Sequence, residues 1–138
     1  MPTNVNIDTV EKRYSNVMGT WQTYSAISVT SDENVKNSIE PLEDKYSIMF
    51  DNLVPKRFKY NNGNSGRYHT GFIAQQVSDS LIAANLSASE FAGLCISKTD
   101  EGEEWSLRYE EFIALNTWEI QKLKAEIKAL KAQIGGSR

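Results

Sequence analysis

The feature that most constrains this chain is an apolar heptad repeat near its C-terminus. Isoleucine, leucine and one asparagine alternate there at spacings of three and four residues, the period of a coiled-coil helix. The repeat extends beyond the apolar surface that the preceding segments can offer, so the helix needs a partner. Its a and d positions are Ile113, Asn116, Ile120, Leu123, Ile127, Leu130 and Ile134.

The charges beside the repeat favour a parallel, identical partner. Glu119 and Glu126 fall at g positions and Lys124 and Lys131 at the following e positions, so a parallel neighbour would meet opposite charge. Asn116 fits a register-setting role, although a solvent-facing asparagine would look the same. Isoleucine at a with leucine at d favours two strands in simple coils, so the repeat alone does not fix the number of chains.

Composition limits what else the chain can be. Its 138 residues, 40% of them hydrophobic, fit one modest domain. A net charge of −3 with scattered Lys and Arg gives no basic footprint, so we expect no nucleic-acid partner. No apolar run could span a bilayer and the polar start lacks a signal-peptide core, so we expect synthesis in the cytoplasm and no membrane partner.

Local patterns predict an α+β fold of small antiparallel hairpins, short helices and the long heptad helix. Residues 1–30 predict an extended lead-in that is the end of something longer, with Trp21, Thr23 and Ile27 on one side of its period-two pattern. Ser87 and Glu90 match a capping box. Helices are predicted at 42–53 and 75–85, and hairpins join 54–60 to 67–74 and 94–98 to 104–108.

Other residues predict structure rather than chemistry. Cys95 is the single cysteine and lies in an apolar run, which predicts a buried thiol without an intrachain disulfide. The sequence shows no metal-ligand cluster, and Gly63 to Gly66 lack the lysine and setting of a phosphate loop. We therefore expect neither a metal nor a cofactor.

Ser31 and Lys36 are the candidate catalytic pair. A serine hydroxyl becomes a nucleophile when a lysine that has lost its charge through burial takes its proton, as in Ser-Lys hydrolases. Residues five apart in one helix point about 140° from each other, so Ser31 must lie outside the helix, as an N-cap serine does. Spacing alone does not distinguish such a pair from a helix cap and a surface charge.

The bond beside the serine would be the one that is cut. Attack by the Ser31 hydroxyl on the carbonyl of Thr30 gives an ester that water can open, whereas attack on its own carbonyl requires a strained four-membered ring. This chemistry favours the Thr30-Ser31 bond over Ser31-Asp32.

Four segments carry a family resemblance. They read SDENVKNSIEPL, VPKRFKY, GRYHTGFIAQQV and WSLRYEEFIALNTWEIQKLKAEIKAL, and they follow one another from Ser31 to Ile134. Together they resemble the peptidase S74 family, the intramolecular chaperones of endosialidases and phage tail spikes, including neck appendages of Bacillus phages. The same module occurs in transcription factors of the myelin regulatory factor type, so the family does not fix the host protein.

The resemblance implies a homotrimer that guides folding of an upstream stalk and then releases itself. Ser31 inherits the role of nucleophile and Lys36 that of base, and Asp32 matches the acidic position after the serine. The family's cut is described on either side of the serine, so both bonds stay open. Residues 1–30 would end the β-rich stalk and 31–138 would form the chaperone, with its coiled coil at 110–134.

The resemblance thus implies two partners, identical copies of the chain and its own upstream stalk. Assembly would take place in the host cytoplasm while virions form, and the domain would be lost from the mature tail. Two alternatives stay open, a trimerisation cap that does not cut and a receptor-binding fibre tip.

Overall fold

The computed structural model describes residues 24–26, 28–62 and 66–136. The chain divides into two compact units, residues 1–39 and 40–138. Most of the predicted lead-in, including Trp21, Thr23 and Ile27, lies outside the described residues, and 24–26 and 28–30 contain no strand. The boundary that we place between residues 30 and 31 stays a prediction.

The first unit contributes one described element, a single 3₁₀ turn at Glu33–Val35. The second unit combines three α-helices with two small hairpins and a further 3₁₀ turn at Ala88–Glu90. In chain order these are α1 (Asp44–Asn52), β1 (Lys56–Phe58), β2 (His69–Gly71), α2 (Ala74–Ala83), β3 (Leu94–Thr99), β4 (Gly102–Leu107) and α3 (Glu111–Gly136). This arrangement confirms the predicted α+β class.

Helix α2 ends where the sequence indicated, and the backbone shows why. Asn85 adopts a left-handed conformation, with φ of 55°, which asparagine tolerates better than most residues. The Leu86 N–H donates to the Leu81 carbonyl at 2.9 Å, and the Asn85 N–H to that of Ile82 at 3.0 Å. These bonds form a Schellman motif, and its usual hydrophobic contact is met because Leu86 is buried.

The first hairpin is shorter than predicted. Strands β1 and β2 pair antiparallel over three residues each, from Lys56 opposite Gly71 to Phe58 opposite His69. The pairing ends at Gly71, where an added Cβ would lie 2.4 Å from the Tyr109 hydroxyl. That hydroxyl accepts the Phe72 N–H at 3.1 Å, so glycine lets the hairpin end approach the start of α3.

The second hairpin matches the prediction closely. Strand β3 pairs with β4 from Leu94 opposite Leu107 to Thr99 opposite Gly102, which leaves a two-residue turn. Gly102 has a φ of 129°, a conformation that favours glycine. Cys95 on β3 is only partly buried, so the predicted buried thiol is wrong. Its position in a two-stranded sheet leaves part of the side chain uncovered.

The hydrophobic core joins the three helices to the base of the second hairpin. Phe112 stands at its centre, because its ring lies 5.0 Å from Phe72 and 5.1 Å from Phe91 between centroids. The core consists of Met49, Val77, Leu81, Ala84, Leu86, Phe91, Leu94, Phe112 and Leu115. Within the described residues, no helix has the length and apolar character needed to cross a bilayer.

Candidate functional site

Ser31 and Lys36 lie in direct contact. The Lys36 Nζ atom donates to the Ser31 Oγ atom at 2.6 Å, and both side chains are exposed. The family resemblance gave this pair its predicted roles, and the structure brings its two atoms within proton-transfer distance. The catalytic roles of the two residues stay predictions.

A one-turn 3₁₀ helix explains how residues five apart can meet. Asp32 is the N-cap, and its Oδ1 atom accepts the Asn34 backbone N–H and the Asn34 Nδ2 group, each at 2.9 Å. Lys36 follows the turn with extended backbone, φ −117° and ψ 156°. Ser31 and Lys36 therefore flank the turn rather than share a helix face.

The prediction that Ser31 caps the helix is wrong, because the carboxylate of Asp32 takes that position. Aspartate is among the strongest N-cap residues, and its charged oxygen makes a stronger hydrogen bond than a hydroxyl. This correction favours the chemistry, because the Ser31 hydroxyl is not used for capping and stays with Lys36.

The pair has the distance for proton transfer but not the surroundings. A lysine acts as base only after it loses its own proton, and Ser-Lys hydrolases achieve this by burial. Ser31 and Lys36 are exposed, as are Thr30 and Asp32 on the two candidate scissile bonds. The single chain thus supplies the nucleophile, the neighbouring lysine and accessible bonds, but no apolar cover among its described residues.

The residues of the predicted seam lie on α3, and their role in assembly stays a prediction. The apolar members of the seam are between 51% and 73% exposed, and Asn116 is exposed too. The seam therefore does not serve the core of its own chain. The exposed apolar side chains are those of Ile113, Ile120, Leu123, Ile127, Leu130 and Ile134.

A separate face of α3 holds the helix to its own domain. Phe112, Leu115 and Glu119 are buried, and each precedes an a or d position of the seam by one residue. One residue is a rotation of about 100°, so the buried and exposed stripes lie on adjacent faces. Helix α3 can therefore pack on its own core and still offer the whole seam to another chain.

Glu119 has other partners than the heptad repeat predicted. The heptad assignment places it at g, facing a lysine of a neighbouring chain, but it is only 9% exposed. Its Oε1 atom accepts the Ser47 hydroxyl at 2.5 Å and the Lys122 ammonium at 3.3 Å, and Lys122 also donates to Ser47. The Lys122 ammonium lies 4.1 Å from the centre of the Trp118 ring. Glu119 thus joins α3 to α1 within the chain.

Sequence reasoning missed three residues here. Asn34 carries a weak signal, since it stands two positions after an acidic cap residue. Ser47 and Lys122 carry none, because they are 75 residues apart and only the fold brings them together. No group of three His, Cys, Asp or Glu that could hold a metal occurs in the part of the chain that the structure describes.

An open groove of about 470 Å³ lies between the two hairpins and the start of α2. Aromatic side chains of Phe58, Tyr60, Trp105 and Tyr109 contribute to its walls. Across β1 and β2, the His69 ring stacks on Phe58 at 6.0 Å and meets Tyr60 edge-on at 5.0 Å. The histidine thus has an ordinary packing role in this hairpin.

Comparison with known proteins places this geometry in a family. Residues 31–86 match the family model Peptidase_S74, described as the chaperone of endosialidase, and the match begins at Ser31. Over residues 31–86, the chain thus matches the peptidase S74 family. This match supports the function of a chaperone.

A curated relative and two solved structures agree with this assignment. Depolymerase 1, capsule K3-specific, of Klebsiella phage KP32 is 30% identical over 100 residues, which are 69% of this chain. This chain spans about a tenth of that protein, since the matched part is 11% of its length.

Both solved structures share the fold. One is described as a novel intramolecular chaperone, with a TM-score of 0.57 and 24% identity over 69% of this chain and 99% of its own. The other is the carboxy-terminal domain of the bacteriophage T5 L-shaped tail fibre with its intramolecular chaperone domain. Its TM-score is 0.58 at 16% identity, over 86% of this chain and 34% of its own.

Proposed function

We propose that this domain assembles and registers a trimeric phage tail-fibre or tail-spike stalk, and then cuts itself free beside Ser31. The observation that carries this proposal is the 2.6 Å contact between Lys36 Nζ and Ser31 Oγ at the start of the family match. It joins a nucleophile and a candidate base at the point where an upstream stalk would end.

The cut would proceed as an acyl shift followed by hydrolysis. Uncharged Lys36 takes the Ser31 hydroxyl proton while Oγ attacks the Thr30 carbonyl through a five-membered ring. The Thr30-Ser31 amide breaks, its nitrogen takes up a proton, and an ester joins Thr30 to Ser31 Oγ. Water then opens the ester, which leaves a carboxylate on Thr30, restores the serine hydroxyl and releases residues 31–138.

Assembly would occur through the seam on α3. Exposed Ile120, Leu123 and Ile127 present a continuous apolar stripe, and lysines at 124 and 131 flank it. With Glu119 held inside its own chain, Glu126 is the g residue left to pair with a neighbour's lysine at 131. The family resemblance supplies the number three, because the heptad pattern alone does not.

Assembly would also supply the cover that Ser31 and Lys36 lack. Both side chains are exposed in the single chain, whereas Ser-Lys hydrolases bury their lysine. We therefore expect the cut to follow association, when another chain or the upstream stalk closes over the pair. Cutting last makes biological sense, because long-range β pairing is slow and removing the guide makes the assembly hard to reverse.

The upstream partner would be the stalk of the same polypeptide, folded in the host cytoplasm during virion assembly. The KP32 and T5 relatives belong to phages, and the T5 structure joins a tail-fibre domain to its chaperone domain. These relatives support a tail fibre or tail spike as the host protein, without fixing the enzyme or receptor that it carries.

The test couples oligomeric state to cutting. Replacing Ile120 and Leu123 by aspartate puts two charges into the seam, so we expect light scattering to give a monomer and intact mass to show no cut. The matched control makes the same two replacements by aspartate at Gln121 and Ala125, which are exposed but lie at b and f positions, outside the seam. It should stay trimeric and cut at the normal rate. Cutting by the seam variant as a monomer would contradict the proposal.

A trimer that never cuts would indicate the alternative of a trimerisation cap. The aromatic groove between the hairpins favours a further alternative, a receptor-binding fibre tip, because its walls offer Trp105 and Tyr60 for stacking on sugars. Binding of the isolated domain to host-cell glycan, lost on Trp105→Ala, would support that function; no binding would leave the groove a structural feature.

A further inference from the structure

The segment that holds Ser31 and Lys36 also carries two acidic residues, Asp32 and Glu33. A carboxylate in the same short segment is a better partner for a lysine ammonium than a hydroxyl, because opposite charges attract and charge-assisted hydrogen bonds are stronger. A lysine paired with a carboxylate would keep its proton and could not act as base. The sequence therefore places a competitor beside its own catalytic pair.

The structure shows how that competition is avoided. The Asp32 Oδ1 atom accepts two hydrogen bonds from Asn34, one from the backbone N–H and one from Nδ2, both at 2.9 Å. Lys36 donates to Ser31 at 2.6 Å and forms no ion pair with either acid in the described part of the chain. Two neutral donors from Asn34 hold the Oδ1 atom and so fix the orientation of the carboxylate, while the Lys36 ammonium donates to the serine.

The identity of residue 34 matters for this arrangement. The backbone N–H would be present with almost any residue, but the second donor is supplied by the side-chain amide alone. Asparagine is short enough to reach back two residues and brings no charge that could itself disturb Lys36. A longer cation at this position would neutralise Asp32 as well, but it would add a like charge near the ammonium.

We propose that Asn34 is a positioning residue, which fixes the Asp32 carboxylate and so reserves Lys36 for Ser31. This inference rests on the proposed self-cleavage. Asn34 does not touch the reacting atoms, and it acts by keeping a nearby anion from capturing the base.

The test is a pair of substitutions in the full chain, followed by intact mass over time. Asn34→Leu keeps the size and the backbone N–H but removes the side-chain donor, and we expect cutting to slow about fivefold. Adding Asp32→Asn keeps a good N-cap and removes the competing charge, so the double variant should cut faster than Asn34→Leu alone. If Asn34 only stabilised the turn, the double variant should cut no faster than Asn34→Leu, because a second change would not repair the turn.

Glu33 provides the matched control. Glu33→Gln removes the same charge one residue away without changing the Asp32 carboxylate, so it should not restore the rate of Asn34→Leu. Equal rescue by Glu33→Gln, or no rescue by Asp32→Asn, would overturn the assignment.

A second measurement works without any cutting. In the Ser31→Ala chain, NMR coupling across a hydrogen bond between Lys36 Nζ and the Asp32 carboxyl carbon should be absent with asparagine at position 34 and appear after Asn34→Leu. If the coupling does not appear after Asn34→Leu, the positioning role is refuted, even if the unsubstituted chain cuts. If the coupling appears but the unsubstituted chain never cuts, only the proposed function is refuted.

Discussion

Two serine–lysine contacts among the described residues differ in almost every physical respect. Ser31 and Lys36 are five residues apart, exposed, and joined by a single hydrogen bond of 2.6 Å. Ser47 and Lys122 are 75 residues apart and partly buried. They share Glu119, which accepts the Ser47 hydroxyl at 2.5 Å. The same two residue types thus occur once without a carboxylate and once with one.

The carboxylate of Glu119 is what makes the second contact a structural one. In the partly buried contact the Ser47 hydroxyl donates to Glu119 and the Lys122 charge is balanced, so neither group is prepared for nucleophilic attack. In the exposed contact the lysine donates to the serine hydroxyl and forms no ion pair with any described residue. A Ser-Lys distance is therefore a poor guide to catalysis unless the remaining partners of both groups are known.

The largest expected effect comes from replacing each lysine by arginine. Arginine keeps the charge and the donors but does not lose its proton, so Lys36→Arg should slow cutting by about 10²–10⁴-fold. Lys122→Arg should leave cutting in place, because Lys122 only balances a charge. Time courses on denaturing gels measure both rates, and a fast-cutting Lys36→Arg chain would remove the lysine from the mechanism.

For the free energy of unfolding we expect the reverse order, with the larger effects at the contact of Ser47 and Lys122. Glu119→Ala removes the acceptor of Ser47 and leaves Lys122 without its ion pair, so we expect the free energy of unfolding to fall by about 2 to 3 kcal/mol. Ser47→Ala removes one hydroxyl between two charged groups and should cost about 1 kcal/mol. Urea titrations of an uncut Lys36→Ala background measure both values.

Ser31→Ala serves as the control in the same titrations. It changes an exposed side chain and should stay within about 0.5 kcal/mol. A loss of stability at Ser31 as large as that at Glu119 would contradict the division into a chemical and a structural pair.

The smallest effect concerns a third lysine, Lys45, whose carboxylate partner Glu90 is exposed. Lys45 lies 2.8 Å from Glu90, and the Lys45 hydrogen bond, followed by those from Ser87, lowers the pKa of Glu90 from 4.5 to about 2. A lowered carboxyl pKa in the folded state stabilises the fold above pH 4.5, and this contribution is lost as the pH falls from 4.5 toward 2.

The substitution Glu90→Gln tests that contribution. The urea midpoint of the unsubstituted chain should fall more steeply than that of Glu90→Gln across this acid range. Parallel curves would show that the exposed pair contributes nothing, unlike the pair of Lys122 with Glu119.

These contacts also show how far sequence could go. The capping box of Ser87 and Glu90 was predictable and is present, because it depends on residues three apart. The seam on α3 was predictable for the same reason, since a heptad is a local period. Both follow from spacing along one element.

Spacing along the sequence could not predict which of two polar groups wins a hydrogen bond, or which distant segments come into contact. It named Ser31 as the cap, but the neighbouring Asp32 is the better acceptor and took that place. It assigned Glu119 to another chain, because nothing local indicates that Ser47 would approach from α1. The parts that needed the structure are those in which two possible partners compete for one polar group.

The central claim is tested most directly by intact mass over time on the unsubstituted chain beside Ser31→Ala and Ser47→Ala, each checked as a trimer by light scattering. We predict fragments meeting at Thr30-Ser31 or Ser31-Asp32 in the unsubstituted and Ser47→Ala chains, and an unchanged mass for Ser31→Ala. A Ser31→Ala trimer that is still cut at either bond, or an unsubstituted trimer that stays whole, would contradict the account.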